Sequence, residues 1–199
     1  MAGPDAPTSA KGGRPRSEQA RLSVLEAAAD LLEEGGLRRA TVESIADRAG
    51  VSKVTIYKWW PNRGAVAIDA YFHRYDRTYE FVDTGTVEED LTDQIRVLVD
   101  AFRGHAGDIM AELIGSAQSD PALAETLRVV WLDPRRSVSR SVLERAMERG
   151  QIRGDIEVQT VLDQLYGPVY YRLLMQHQPL ADDLPRRLVQ TVLDGIRTR

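Results

Sequence analysis

Residues 53–63 concentrate hydrogen-bond donors: Lys53, Thr55, Tyr57, Lys58 and Arg63, with Val54 as an apolar neighbour. Lysine and arginine donate to guanine O6 and N7 or to phosphate. Hydroxyls serve phosphates or base edges, and a small apolar side chain fits the thymine methyl. This set suits a DNA groove better than bond-breaking chemistry. The three histidines, His73, His105 and His177, fall outside any H-E-x-x-H spacing. Cysteine is absent, which removes thiol nucleophiles, disulfide scaffolds, cysteine-held iron–sulfur clusters and cysteine-ligated zinc. No G-x-S-x-G elbow, P-loop or strand-linked G-x-G-x-x-G occurs. The acidic pairs Glu88-Glu89 and Asp182-Asp183 fall at helix starts, where they complement the helix dipole. The chain is therefore expected to be no enzyme and to need no metal or cofactor.

The donors need a scaffold, and the residues around them supply one. Thr41 is a good N-cap for a short helix whose inward residues are Ile45 and Ala46, and Ala49-Gly50 ends it. Gly50 suits a left-handed turn and Val51 an apolar plug. Ser52 caps the next helix, Lys53 to about Trp59, on which Ile56 points inward. Together these form a helix-turn-helix, whose second helix enters the major groove. Upstream, Leu22, Leu25, Ala28, Ala29 and Leu32 give one apolar helical face from Ser17 until Gly35-Gly36 stops it. Downstream, Asn62 caps a helix from Arg63 through Ala67, Tyr71 and Tyr75 toward Phe81.

The remaining sequence keeps helical periodicity, and alternating β-type runs are nearly absent. Helices are expected over Glu88–Arg103 and Ile109–Gln118, from Pro121, from Asp133-Pro134 to Gly150, from Asp155 through Leu173, and after Pro185. Pro168 falls inside one of them, where a kink is expected. The fold class is all-α with about nine helices. Residues 1–16, rich in Pro and Gly with Lys11, Arg14 and Arg16, read as a disordered leader or as a basic arm along DNA. The expected organisation is an arm over 1–16, a DNA-binding domain over 17–62 and a second domain over 63–199.

Charge follows the same division. The net charge is −4 over 199 residues, but residues 1–63 carry +2 and residues 64–199 carry −6. No apolar run is long enough to cross a bilayer, and Met1–Arg16 lacks the apolar core of a signal peptide. A soluble cytoplasmic protein with no membrane partner is expected.

Residues 22–70 resemble the N-terminal signature of the TetR family of transcriptional regulators (TetR/AcrR type). The ordered matches are the apolar first helix, Gly35-Gly36, Thr41, Ile45-Ala46, Ala49-Gly50-Val51-Ser52, Thr55-Ile56-Tyr57 and Asn62-Arg63. Trp59-Trp60 departs from the family's frequent Tyr-Phe or His-Phe. The segment Tyr166-Gly167-Pro168-Val169-Tyr170-Tyr171 also looks like one found in a branch of the family. The resemblance implies a ligand-responsive regulator, a repressor that binds a palindromic operator as a homodimer and is released by a hydrophobic or amphipathic small molecule. It implies DNA contacts from Thr41, Ser52, Lys53, Val54, Thr55, Tyr57, Lys58, Trp59 and Arg63, with Lys53 and Val54 reading bases.

Some of these residues have a second reading. Tyr57 also suits packing between helices, and Trp59 and Trp60 suit the core or a domain junction. The family implies a ligand-binding and dimerising second domain. Pocket candidates are Phe102, Met110, Leu113, Trp131, Tyr166, Tyr170 and Met175, though such a cluster also suits plain core. Dimer candidates are Leu162, Leu165, Val169, Leu184, Leu188 and Val192, whose alternative is an intramolecular core. The competing functional reading is a helical interaction module whose helix-turn-helix no longer binds DNA.

Overall fold

The computed structural model describes residues 13–75 and 83–198, with side chains from residue 17 onward. The chain divides into two compact units, residues 1–73 and 74–199.

In the first unit, α1 (Gly13–Arg39) loses helical geometry at Gly35 and Gly36, where the sequence breaks its periodicity, and resumes for a last turn. The helix also begins earlier than expected. Residues 13–16, assigned above to the arm, form its first turn. Pro15 fits there because first-turn N–H groups have no partner within the helix. The rest of the expected arm, residues 1–12, lies outside the described residues. Then come α2 (Val42–Ala49), α3 (Lys53–Tyr57) and α4 (Arg63–Tyr75). The expected continuation of α4 toward Phe81 also lies outside the described residues.

The second unit contains α5 (Val87–Ala101), α6 (His105–Ala117), α7 (Pro121–Leu127), α8 (Asp133–Glu148), α9 (Val158–Met175) and α10 (Leu184–Ile196). α7 runs into α8 without a break through a π-helical turn, Arg128–Leu132. With that run counted as one, the described residues hold nine helices and no strand; Ile152 and Arg197 form a single antiparallel bridge. The expected break at Asp133-Pro134 is absent. Asp133 N–H reaches back to the Arg128 carbonyl, and this wider turn lets the chain carry Pro134 without stopping the helix.

α5 is central and packs against α8, α9 and α10, with Leu91, Ile95 and Val99 fully buried. Each such side chain is worth roughly 1.5–3 kcal/mol by burial. Gly107, in the gap expected between the Glu88–Arg103 and Ile109–Gln118 helices, instead lies inside α6. A Cβ there would fall 2.0 Å from the Phe102 carbonyl oxygen and 3.3 Å from Leu173 Cδ1. Only glycine lets the start of α6 come so close to the end of α5.

The unit's entry segment is pinned by charge. Asp83 accepts two bonds from Arg149, at 2.8 and 2.6 Å, and Gly85 N–H donates to it at 3.0 Å. The Arg149 guanidinium, helped by that N–H and by Arg145, brings its pKa from 3.8 down to about 2. A carboxyl with a depressed native pKa stabilises the fold above its unfolded pKa and loses that effect as pH falls through the native value. Asp83→Asn should therefore lower the thermal midpoint at pH 7. Its deficit relative to the parent should shrink between about pH 4 and pH 2, as followed by circular dichroism melts. A deficit independent of pH would mean that the ion pair contributes nothing.

Candidate nucleic-acid interface

The turn between α2 and α3 is fixed by its own hydrogen bonds. Thr41 Oγ1 accepts the Ser44 N–H at 3.1 Å and opens α2. Gly50 closes that helix in the left-handed conformation (φ 66°), and Val51 N–H donates to the Ala46 carbonyl at 3.0 Å. Ser52 Oγ accepts the Thr55 N–H at 3.2 Å and opens α3. A cap of this kind is worth about 1 kcal/mol. Ile45 on α2 and Ile56 on α3 are fully buried and clamp the two helices together. Glu34, near the end of α1, holds Arg48 of α2 through two bonds of 2.6 and 3.0 Å and also bonds Arg39.

α3 buries only Ile56 and leaves its other side open. Lys53, Val54, Tyr57 and Lys58 are exposed, Val54 by 69% and Tyr57 by 53%, so Tyr57 is not sealed between helices. An exposed valine and tyrosine side by side on a five-residue helix gain nothing from water. Thr55 is half-buried and its hydroxyl lies 3.0 Å from that of Ser52. Lys53 Nζ donates to Glu43 Oε1 of α2 at 2.9 Å, a pairing the sequence reading did not foresee. It raises the pKa of Lys53 and lowers that of Glu43, so both stay charged.

The helix ends sooner than expected, at Tyr57, and Trp59 and Trp60 follow in the turn. Trp60 is buried, donates its indole N–H to Asp69 Oδ2 of α4 at 2.7 Å, and has Arg21 of α1 over its ring. Trp59 is half-buried and stands edge-on to Trp60. Asn62 Oδ1 accepts the Ala65 N–H at 2.8 Å and caps α4, which leaves Arg63 exposed in its first turn.

The second unit holds a buried polar and aromatic cluster. Phe102 lies against Trp131 and Tyr170, and Trp131 donates its indole N–H to the Tyr170 hydroxyl at 2.8 Å. Arg135 sits over the Trp131 ring, 3.3 Å from its centre. Next to these, Ser139 Oγ lies 2.7 Å from Gln94 Oε1 and 2.6 Å from the Tyr166 hydroxyl. Burial pushes the Tyr166 phenol up to about 12 and raises that of Tyr170, so both stay neutral donors. Gln94 Nε2 is buried without an acceptor among the described residues. Met110 and Leu113 are buried in the same unit.

Gln94, Ser139 and Arg135 were missed in the sequence reading. A signal existed: Gln94 interrupts the apolar stripe of Leu91, Ile95 and Leu98, and Ser139 that of Val142, Leu143 and Ala146. Met175, expected in this group, is instead 60% exposed near the end of α9. Tyr171 is also exposed, with its ring against His177.

The dimer candidates fall into two groups. Leu162, Leu165, Val169 and Leu184 are buried within one protomer and fill its own core; Leu188 and Val192 keep part of their surface. Inward and outward apolar residues alternate on these helices, and periodicity alone does not say which side meets the core. α9 continues through Pro168, whose missing N–H frees a carbonyl at Gln164, on the exposed side. Among the described residues, no His, Asp and Glu side chains gather to hold a metal ion, and no helix is long and apolar enough to cross a membrane.

Comparison with known proteins agrees with this geometry. Residues 24–70 match the family described as bacterial regulatory proteins, tetR family, and residues 81–192 match the tetracyclin repressor-like C-terminal domain. The HTH-type transcriptional regulator YdeS of Bacillus subtilis is 37% identical over 187 residues, 94% of each chain. The DNA-binding transcriptional repressor TetR of Mycobacteroides abscessus is 30% identical over 180 residues, covering 89% of this chain and 94% of its own. The crystal structure of the TetR family transcription regulator SCO0332 superposes with a TM-score of 0.74 at 43% identity, over 90% of this chain and 100% of that one. A sealed helix-turn-helix, an all-helical second unit and relatives matched along nearly their whole length lead to one conclusion: the chain belongs to the TetR family of helix-turn-helix transcriptional regulators, and it is not an enzyme.

Proposed function

We propose that this regulator is a cytoplasmic repressor that binds a palindromic operator as a homodimer and is released by a small hydrophobic or amphipathic molecule. The observation that carries the proposal is the open face of α3, where Lys53, Val54, Tyr57 and Lys58 are exposed on a helix whose other side is locked to α2. Lys53 and Val54 read bases. Thr41, Ser52, Thr55, Tyr57, Lys58, Trp59 and Arg63 serve phosphates and register. Two chains pair through the outer sides of α9 and α10, where Gly167, Tyr171, Leu188, Val192 and Gly195 keep surface. Cβ atoms at Gly167 and Gly195 would meet nothing, so a second chain can approach closely there. The effector sits among Phe102, Trp131, Tyr166 and Tyr170, where Gln94 Nε2 offers an unused donor. Met110 and Leu113 complete the apolar lining.

Selection of operators from randomised duplexes with the full chain tests this reading. It should return an inverted repeat whose half-site centres lie about one helical turn apart, roughly 34–36 Å. Sedimentation should find chains bound in pairs. Affinity should fall steeply with salt, by about 0.9 log unit per phosphate contact for each log unit of salt. A shallow salt dependence with no preferred sequence would overturn the proposal in favour of a helical interaction module.

A further inference from the structure

The Lys53–Glu43 ion pair lies on the side of the first unit that bears the reading helix, which is an odd place for a carboxylate. Glu43 is exposed on α2, one helical turn before Asp47, which is also exposed. Both acids act on the Lys53 ammonium. Phosphates repel such groups, so an acid here weakens binding to every sequence unless it is matched to a donor on the DNA. The major groove offers few donors, and the one on a G·C pair is the cytosine N4 amino group.

We infer that Glu43 is a further base-reading residue: together with Lys53 it reads one G·C pair per half-site, Lys53 on guanine O6 and N7 and Glu43 on cytosine N4. The inference rests on the reading above that α3 enters the groove. Its geometric support is the spacing of the pair. Lys53 Nζ and Glu43 Oε1 are 2.9 Å apart. Guanine O6 and cytosine N4 are hydrogen-bonded to each other and so lie about 2.9–3.0 Å apart. Two groups already held side by side at that distance can face the two base atoms as a unit. The ammonium donates to O6, and the free N4 hydrogen donates to the carboxylate. The ion pair need not break to meet the correct base pair. A reversed C·G pair sets the ammonium against N4–H and the carboxylate against O6, so both contacts turn repulsive. A T·A pair repeats the central acceptor and donor but replaces guanine N7 with the thymine methyl, which gives Lys53 one acceptor fewer. The pairing also silences Lys53 on DNA of the wrong sequence, because its charge is already neutralised and makes little contribution to phosphate binding.

The test uses the full-length protein, its selected operator, and operator variants with each base pair inverted in both half-sites. Binding is followed by fluorescence anisotropy from low to high salt for the parent chain, Glu43→Ala, Lys53→Ala and the double variant. Glu43 is exposed, so its replacement should leave the protein folded, with a melting curve shifted only slightly by the lost first-turn acid. Glu43→Ala should cut the preference for G·C over C·G at one position by about 5–150-fold per half-site. On DNA of unrelated sequence it should bind more tightly than the parent. Its salt slope there should steepen by about 0.9 per freed lysine. The double variant should lose no more preference at that position than Lys53→Ala alone.

If the parent selects an operator but Glu43→Ala keeps the full preference at every position and the same slope on unrelated DNA, Glu43 reads nothing and the inference is overturned. If the parent selects no operator, the DNA-reading proposal itself fails and this one fails with it. The two failures are thus separate results.

Discussion

Lys53→Ala should be the most damaging single change to operator binding. A lysine donating to guanine is worth about 1–3 kcal/mol of discrimination, and a symmetric operator presents it twice, giving on the order of 2–6 kcal/mol for the dimer. The exposed ion pair with Glu43 is screened by water and is kept on the operator, so it changes this loss little. The measured value should therefore fall toward the middle of the range, a loss of about 10²–10³-fold at moderate salt. The loss should be concentrated at one base pair per half-site: operators altered there should bind the variant and the parent almost equally. Tyr57→Phe should instead weaken all sequences evenly, as removal of a phosphate partner does. Titration of labelled duplexes separates the two patterns. An even loss from Lys53→Ala would make it a phosphate contact and leave base reading to Val54.

Gly107→Ala should be the most damaging to the fold. The added methyl would sit 2.0 Å from a backbone oxygen, that of Phe102, where no side-chain rotation relieves it. Either α6 or the end of α5 must move, and such overpacking costs about 3 kcal/mol or more. For a chain of this size that lowers the midpoint by about 6–12 °C. Gly115, in the same helix, is a matched control. It is exposed and a Cβ there meets nothing within 4 Å. Gly115→Ala should raise stability by about 0.5–1 kcal/mol, because alanine is the better helix former and orders a smaller unfolded ensemble. Opposite signs from one substitution in one helix would establish that close approach, not helix propensity, selects Gly107. Equal effects would refute it.

The helix-turn-helix was legible because each part of it is a local event. Thr41, Gly50 and Ser52 act within four residues of their positions, so caps and turn follow from residue type alone. The all-helical class was legible from periodicity for the same reason. The pairing of Lys53 with Glu43 was not, since it joins two helices whose relative rotation depends on how Ile45 and Ile56 pack. The inward side of α9 escaped for a related reason. Leu162 and Tyr171 both belong to apolar runs, and only the neighbours α5, α6, α8 and α10 decide which of them is covered. Gln94 and Ser139 were visible as polar interruptions of apolar stripes, but nothing local says that two such interruptions meet. The helix start at Gly13 was obscured by prolines and glycines, which read as a tail although the first turn tolerates them.

The π-helical turn at Arg128–Leu132 has a further consequence. One residue more than a regular helix needs is accommodated in that turn, and each residue of an α-helix advances by about 100°. α7 and α8 therefore form one continuous run but are out of phase with each other. The face that α7 turns toward α6 and the face that α8 turns toward α5 and α9 are offset by that one step. In this respect 121–148 behaves as a single rod carrying an inserted residue. Removing the insertion would bring Pro134 back against a carbonyl and swing Ser139 away from Gln94 and Tyr166. A one-residue deletion here would thus act on the buried cluster as a rotation, without touching any side chain in it.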